Sequence, residues 1–244
     1  ISKLLKAVIP AMVFILFSAN TLHALTPVII DENTESVSLG KYMEILEDPT
    51  GELTIDDVTK PEMQGRWFQS KWEFPNLGFT ENAYWFKVSI NNKTADTKNR
   101  YFIKLAWPNY NEINYKLLTS DFQLVDEHNL GDLKFFKERI ITDRNYIIPV
   151  IHKDDSFVFI RLKSNDSMQI PAYLISEKQL LQDTEFENLI WGFIFGTLVL
   201  IFIYNLFIYI SIRDRNYLNY LFFIFTQVLF QLSYFGYGFK YLWN

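Results

Sequence analysis

The chain has 244 residues, of which 49% are hydrophobic, 18% aromatic and 21% charged, and it contains no cysteine. This composition excludes a disordered tail, a disulfide-stapled mini-domain, a collagen-like fibre and any thiol chemistry. The net charge of −5 argues against nonspecific nucleic-acid binding, which needs a basic surface. Residues 25–188 hold 27 acidic and 18 basic residues, whereas the flanks are almost uncharged. This contrast predicts a membrane protein with a soluble domain.

The first 24 residues have the pattern of an export signal. Lys3 and Lys6 form a basic start, an apolar stretch of 11 residues runs from Ala7 to Phe17, and a more polar stretch closes at Ala24. The apolar stretch is shorter than the roughly 20 residues that a membrane span needs. We therefore predict a signal peptide over 1–24, with Ala24 as the candidate cleavage position and an uncleaved N-terminal anchor as the alternative.

The next segment, 25–178, predicts one all-β domain of the jelly-roll or β-sandwich class. Tyr84–Ile90 alternates apolar and polar residues, as a half-buried strand does. Asp48–Gly51 predicts a turn, and Thr54 with Asp57 predicts the cap of a short helix. Many short strands separated by turn residues are typical of sandwiches. Further strands are predicted over Tyr101–Trp107, Ile113–Leu118, Tyr146–Val150, Phe157–Lys163 and Gln169–Ile175.

Two uncharged runs follow a polar stalk predicted over 179–188. The first, 189–212, has 24 residues and would form a helix about 36 Å long, enough to cross a bilayer. The second is predicted to span the membrane over 217–239. Arg213 and Arg215 lie between the runs and place this turn in the cytoplasm by the positive-inside rule. We therefore expect a protein of the cytoplasmic (inner) membrane, with residues 25–188 on its periplasmic or extracellular side.

Small and polar residues within the two predicted spans have two interpretations. Gly192 and Gly196 are spaced for close helix approach, and Asn205, Gln227 and Gln231 are spaced for hydrogen bonds between helices. Helix packing and a conformational relay both account for this pattern.

Outward-facing positions of the predicted strands suggest a ligand-binding face. Each of these residues is out of phase with an apolar row on its strand, so we expect all of them to project from one sheet toward solvent. Aromatic rings stack on sugars, and cations bind carboxylates or phosphates, which suggests a saccharide or an anionic small molecule. Exposed strands also carry lysine simply to discourage edge pairing, which is the alternative. The predicted ligand-binding residues are Trp85, Lys87, Lys104, Arg161, Lys163 and Tyr173.

Catalytic motifs are missing from this sequence. It contains no GxGxxG, P-loop, GxSxG or HExxH pattern, and the acidic residues at 48, 56 and 57 lack the spacing of an EF-hand calcium loop. Asp126 with Glu127 and Asp154 with Asp155 could form a glycosidase-like carboxylate pair, but aspartates beside turns are common for structural reasons. We predict no catalytic residue, no metal and no cofactor.

Several motifs together resemble the bacterial seven-transmembrane receptors with diverse intracellular signalling modules (7TMR-DISM). The ectodomain resembles their type-2 extracellular domain, and the apolar runs resemble the start of their membrane domain. The resemblance rests on Tyr42–Asp57, Asn76–Asn91, Arg139–Pro149, Phe157–Ser164, Met168–Leu174, Gly192 with Gly196, Tyr204–Phe207, Ser211–Tyr217 and Gly236–Trp243.

The resemblance implies a carbohydrate-binding-like jelly roll, seven helices and a cytoplasmic output such as a histidine kinase, as in two-component systems, a diguanylate cyclase or a phosphatase. We expect the chain to be the amino-terminal sensory part of such a receptor and not itself an enzyme. The expected partners are a small-molecule or saccharide ligand, the membrane and an output domain in the same longer chain, with homodimerisation left open and no nucleic acid. The alternative is a membrane-anchored polysaccharide-binding or envelope scaffold protein without signalling output.

Overall fold

The structure, a computed structural model, describes residues 25–94, 100–151 and 154–242. The predicted signal peptide lies outside these residues. The strands are β1 Val28–Ile30, β2 Ser36–Ser38, β3 Glu44–Asp48, β4 Phe68–Gln69, β5 Asn76–Phe79, β6 Ala83–Asn92, β7 Tyr101–Leu105, β8 Glu112–Thr119, β9 Leu124–Leu130, β10 Tyr146–Val150, β11 Ser156–Lys163, β12 Ser167–Gln169 and β13 Ala172–Ser176. The helices are α1 Ile55–Val58, α2 Glu177–Ile212, α3 Arg215–Tyr234 and α4 Tyr237–Tyr241.

Two main sheets and a separate two-stranded sheet form the ectodomain within the described residues. The larger has the order β4-β3-β6-β11-β8-β9, with β1 added in parallel to the end of β6. The smaller has the order β10-β7-β13-β2, and β5 pairs with β12 beside them. Apart from β1, the strand pairs are antiparallel. The prediction of a mostly antiparallel all-β domain is confirmed, and the jelly-roll connectivity stays a prediction.

The inner faces of the two sheets share one core. Phe86 on β6 and Ile160 on β11 pack in the same buried cluster as Ile103 on β7 and Leu174 on β13. These residues belong to the apolar rows that alternation indicates, because successive strand side chains point to opposite faces. Burial of such rows from both sheets is the main source of stability for a domain of this kind.

The outer face of each sheet is covered as well. Trp85 and Phe159 on the larger sheet pack against Val58 of α1 in a second buried cluster. Phe102 and Ile175 on the smaller sheet pack with Leu180 of α2 in a third. Both outer faces are therefore half apolar and half polar, and neither is simply a solvated surface.

The strand predicted over Gln169–Ile175 is wrong, because the chain changes sheets there. Its first part belongs to β12, which pairs with β5, and its second part is β13 of the smaller sheet. Ile170 and Pro171 form the crossover. Proline lacks the N–H that a sheet ladder needs, so Pro171 favours a break at this point.

The stalk and the first apolar run form one continuous helix. Ser176 begins α2 by accepting a hydrogen bond from the N–H of Gln179 at 3.3 Å. Among the described residues, α2 is the one helix that is long and apolar enough to cross a membrane. The second run folds into α3 and then, after a break at Gly236, into α4. The second membrane span therefore stays a prediction.

Candidate functional site

Arg161 of β11 anchors a polar cluster on the outer face of the larger sheet. Its Nη1 donates to Glu112 Oε2 and to Asn114 Oδ1, each at 3.1 Å, and its Nη2 donates to the Gly51 carbonyl at 2.6 Å. The residue is 8% exposed. The guanidinium therefore joins β8 to the loop after β3, and much of its hydrogen-bonding capacity is used inside the protein.

The loop that presents the Gly51 carbonyl is shaped by a buried carboxylate. Asp48 accepts hydrogen bonds from the N–H groups of Gly51 and Leu53, at 2.9 and 3.2 Å, and from the Thr50 hydroxyl at 3.0 Å. Gly51 adopts a φ of 69°, a left-handed conformation that glycine tolerates best. The predicted turn at Asp48–Gly51 is confirmed, and it positions a carbonyl toward Arg161.

Helix α1 follows this loop and forms one wall of the cluster. The Thr54 hydroxyl accepts from the N–H of Asp57, and the Asp57 carboxylate accepts from the N–H of Thr54, so a complete capping box begins the helix. The helix cap predicted from Thr54 and Asp57 is thereby confirmed.

A cavity of about 430 Å³ opens between α1 and the strands. Trp85 contributes to its wall, although the side chain is only 2% exposed and its Nε1–H is buried without a hydrogen-bond partner among the described residues. Asn114 donates to Asn129 at 2.6 Å between the neighbouring strands β8 and β9. The cavity is lined by Gly51, Leu53, Thr54, Ile55, Trp85, Glu112, Asn114, Lys116, Asn129 and Arg161.

The two cations that line this cavity have carboxylate partners. Arg161 faces Glu112 and also the buried Asp48, whose Oδ2 lies 3.8 Å from Arg161 Nε, and Lys116 forms an ion pair with Glu127. The pairing with Lys116 lowers the pKa of Glu127 through a hydrogen bond and the nearby charge. The amide groups of the lining offer both donors and acceptors, and its cations are already paired. Such a lining can form hydrogen bonds with hydroxyl groups of an uncharged molecule.

Two more of the predicted ligand residues lie on the larger sheet. Lys87 forms an ion pair with Glu44 at 2.5 Å, and its Nζ sits 5.0 Å from the centroid of the Trp67 ring. Lys163 is half-buried near the Gly51 loop. Neither residue lines the cavity, although both share its sheet face.

The prediction that all six residues project from one sheet is wrong. Lys104 on β7 and Tyr173 on β13 are direct neighbours on the smaller sheet. Parity placed them correctly on an outer face, but parity along a strand does not tell which sheet the strand joins. The expectation that Trp85, Lys104 and Arg161 are exposed to solvent is also wrong, because segments outside the sheets cover them.

Lys104 instead takes part in an ion cluster with the long helix. Its Nζ donates to Glu187 Oε1 at 2.8 Å, and Arg144 Nη2 donates to Glu187 Oε2 at 2.5 Å. Burial by itself raises the pKa of Glu187, but the hydrogen bonds and charges of Lys104 and Arg144 outweigh it and lower the pKa overall. The cluster fixes α2 to the smaller sheet at the level where the helix becomes apolar.

Loops at one end of the ectodomain also contact α3 and α4. The Trp107 and Tyr234 rings meet edge to face at 5.8 Å, and Arg144 lies over the Tyr237 ring at 5.4 Å. Gly236 adopts a φ of 77°, and a Cβ at this position would lie 2.9 Å from Pro108 Cβ. The break between α3 and α4 is therefore the place where the helices dock against the ectodomain.

The residues predicted for helix packing are placed differently from one another. Gly192 and Gly196 are exposed, and no described atom lies within 4 Å of a Cβ built on either. Asn205 is buried and donates to the Ile201 carbonyl at 2.8 Å within its own helix. Gln227 and Gln231 are half-buried on α3. In the described residues, the helix pair is thus formed without the glycine ridge.

Several members of these clusters were missed by sequence reasoning. Asn114 and Lys116 alternate with the apolar row of β8, so the same parity rule would have found them. Glu187 and Arg144 carried no such signal, because their roles depend on how α2 folds back over a sheet. In the described ranges, no group of three or more His, Asp or Glu side chains is arranged to hold a metal ion.

Comparison with known families assigns both parts of the chain. The model of the 7TMR-DISM extracellular 2 domain matches residues 40–176, and the model of the 7TM diverse intracellular signalling domain matches residues 187–244. The chain belongs to the 7TMR-DISM family. The two 7TMR-DISM matches support a membrane sensory receptor with an extracellular domain. The matched domains are sensory and not catalytic.

Other comparisons add little to the 7TMR-DISM assignment. No curated protein matches the chain. Among solved structures 13 chains match, one of them an FMN-binding beta-glucuronidase from Facaelibacterium prausnitzii L2-6. This glucuronidase is 14% identical, has a TM-score of 0.32, and is matched over 58% of this chain and 22% of its own. At that TM-score the likeness supports no conclusion about fold or activity.

Proposed function

We propose that this chain is the sensory amino-terminal part of a membrane signalling receptor. Its ectodomain binds an extracytoplasmic ligand, and the bound state is passed through α2 and α3 to a cytoplasmic output domain of the same protein. The observation that carries this proposal is the order of the two family matches in one chain, extracellular domain first and membrane signalling domain second.

The topology follows from charge. Arg213 and Arg215 flank the turn between α2 and α3, which supports a cytoplasmic turn in the inner membrane and an ectodomain outside it. Alkaline phosphatase fused after Ile175 should be active, since the enzyme needs an oxidising compartment, and fused after Arg215 it should be inactive. The reverse pattern would overturn both the topology and the receptor proposal.

The cavity beside Arg161 is our candidate for the ligand site, and a neutral saccharide or polyol is the ligand class it suits. The charge pairs favour a saccharide over an anion, because Arg161 and Lys116 already face Glu112 and Glu127. An anionic ligand would have to displace one of these carboxylates, whereas hydroxyl groups can share the Asn114 and Asn129 amides.

Calorimetry on the full chain in detergent tests this site. Maltose and cellobiose serve as neutral probes, with galacturonate and glucose 6-phosphate as anionic ones. Replacing Asn129 by Ala should weaken binding of a neutral probe about 3- to 10-fold, as expected for one neutral hydrogen bond. The exposed Asn165→Ala variant, outside the cavity, is the matched control. Saturable binding of the anionic probes alone, unaffected by Asn129→Ala, would overturn the assignment.

The relay is proposed to run through the Glu187 cluster, since Glu187 belongs to the same helix as the apolar run 189–212. A fluorescent label on an Ile212→Cys variant reports on the far end of α2, and the native chain offers no competing cysteine. We expect a ligand-dependent change in its emission that is lost when Glu187 is replaced by Gln. An unchanged response in Glu187→Gln would remove this cluster from the relay.

A further inference from the structure

Residues 131–140, the first part of the connection between β9 and β10, lie beside the ends of the membrane helices, and we call this segment the base loop. Phe136 packs edge to face on Phe239 at 5.5 Å, and the Arg139 guanidinium lies 5.3 Å from the centroid of the same ring. Arg139 is further held by hydrogen bonds to the carbonyls of Asp143 and Arg144, each at 2.8 Å. These contacts hold the base loop in a fixed position against α4.

The helix ends beside the base loop have the composition of a membrane interface. Trp191 of α2 contacts Phe235 at 4.3 Å and Tyr237 at 5.7 Å between ring centroids. Aromatic rings of this kind concentrate where a span leaves the hydrocarbon and enters the headgroup layer. Because Trp191 lies two residues after Leu189, where the apolar run begins, this aromatic cluster marks the outer boundary of the bilayer.

Two large apolar side chains of the base loop have no cover. Leu133 is 74% exposed and Phe135 is 63% exposed, although both sit next to a well-packed part of the protein. Lys134 lies between them in the sequence, and Lys137 follows two positions after Phe135. Lys134 donates to the Asn129 carbonyl at 2.7 Å, and Lys137 Nζ lies 5.2 Å from the Phe135 ring centroid. Apolar tips interleaved with lysines are typical of segments that lie in a lipid interface.

We propose that the base loop inserts into the outer leaflet of the membrane. Leu133 and Phe135 enter the boundary between headgroups and acyl chains, while Lys134 and Lys137 remain among the lipid phosphates. The continuity with the aromatic cluster favours lipid as the occupant, since the loop is held at the depth where the helices emerge. The lysines provide the charge that anionic phospholipid attracts. The insertion requires that α2 and α3 span the membrane, as proposed above.

Depth measurements on the full chain in vesicles test the insertion. The lack of native cysteine allows a single bimane label at Leu133→Cys, Phe135→Cys, Leu124→Cys or Val199→Cys. Vesicles of phosphatidylcholine and phosphatidylglycerol carry nitroxide-labelled lipids as quenchers, and iodide quenches from water. Leu124 is a matched control, because it is also exposed but lies at the other end of β9, roughly 20 Å from Leu130. Val199 reports on the middle of the proposed first span.

We expect lipid quenching at 133 and 135 to exceed that at 124 by at least about threefold, with headgroup-linked nitroxide more effective than chain-linked nitroxide. Quenching of 133 and 135 by iodide alone would overturn the insertion, and protection from both quenchers would overturn it in favour of a protein partner. If label 199 is not quenched by lipid, the membrane proposal fails and the insertion fails with it. If 199 is quenched and 133 and 135 are not, only the insertion fails.

Discussion

The outer faces of the two sheets each bury a strand cation, but they pair that cation in different ways. Each buries a cation that is out of phase with the apolar row of its strand: Arg161 on the larger sheet and Lys104 on the smaller one. Arg161 is bound by a loop carbonyl and by side chains of the same domain. Lys104 is bound by Glu187, which belongs to the long helix.

The comparison shows that a buried strand cation has no single meaning. On the larger sheet the cation organises the wall of a cavity that remains open to solvent. On the smaller sheet it attaches the ectodomain to the helix that leads into the membrane. One face carries the cavity that we propose as a ligand site, and the other holds a neighbouring helix in position. Variants of the two faces should therefore differ in size of effect and in what they disturb.

The largest effect is expected from Glu187→Gln. This change leaves Lys104 and Arg144, both poorly exposed, without their shared anion, and breaking a buried ion pair in this way costs about 3 kcal/mol. Thermal unfolding in detergent measures the loss. Glu185→Gln, on the exposed side of the same helix, should be nearly neutral. Equal stability of the two variants would show that the cluster does not hold the helix to the sheet.

Arg161→Gln should have a smaller effect, about 2 kcal/mol, through the loss of charge-assisted hydrogen bonds. The hydrogen-bond partners left behind are a loop carbonyl, Asn114 and the half-exposed Glu112. The buried Asp48, 3.8 Å from Arg161 Nε, keeps its own hydrogen bonds from the loop that follows it. Denaturant unfolding of the full chain measures it, with the half-buried Lys163→Gln as control. If Arg161→Gln lowers the free energy of unfolding by less than Lys163→Gln does, the structural role of Arg161 is contradicted and only a ligand-binding role is left.

Thr54→Ala should cost about 1 kcal/mol, the usual effect of removing a helix cap. The reason is local, because the Thr54 hydroxyl satisfies the N–H of Asp57 at the start of α1. Since α1 forms a wall of the cavity, binding of any neutral probe should weaken as well, whereas Thr142→Ala on an exposed loop should change neither property. Calorimetry measures binding and thermal unfolding measures stability. Unchanged binding in Thr54→Ala would show that α1 does not contribute to the ligand site.

The smallest effect concerns pH. The pKa of Glu187 is lowered in the folded protein from 4.5, so its contribution to stability is present above that value and is lost as the pH falls through the lowered pKa. The stability difference between the wild type and Glu187→Gln should therefore be constant near neutrality and should narrow in acid. Unfolding curves between about pH 3 and pH 8 check this. A difference that widened in acid would mean that the pKa is raised, not lowered.

Much of the ectodomain follows from alternation in the sequence. The rows through Phe86 and Ile160 were predicted to face inward, and they do. Short or polar strands escaped: β4 has two residues, and β9 reads Leu-Val-Asp-Glu-His-Asn-Leu, which has no clear apolar row. Such segments become strands because a neighbouring edge supplies hydrogen bonds, and that edge is not visible from local sequence.

The site was predictable only in part. Alternation put Trp85 and Arg161 on an outer face, and both contribute to the cavity wall. It could not show that the chain between Asp48 and Trp67 folds back over that face, because the covering segment is far away in sequence. Lys104 was assigned to the wrong sheet because the pairing of β7 with β10 and β13 is not visible in the sequence of β7 itself. Its ion-pair partner Glu187 was missed because it lies 83 positions later in the chain.

The unbroken course of α2 has a mechanical consequence. Its 36 residues run from the strand end at Ser176 to Arg213 with no proline inside the helix, over a length of about 54 Å. A continuous helix keeps a fixed angular relation between its two ends, set by 3.6 residues per turn. One inserted residue would rotate the far end by about 100° relative to the sheet. The number of residues between β13 and Arg213 therefore determines which face of the far end of α2 points in a given direction relative to the sheet.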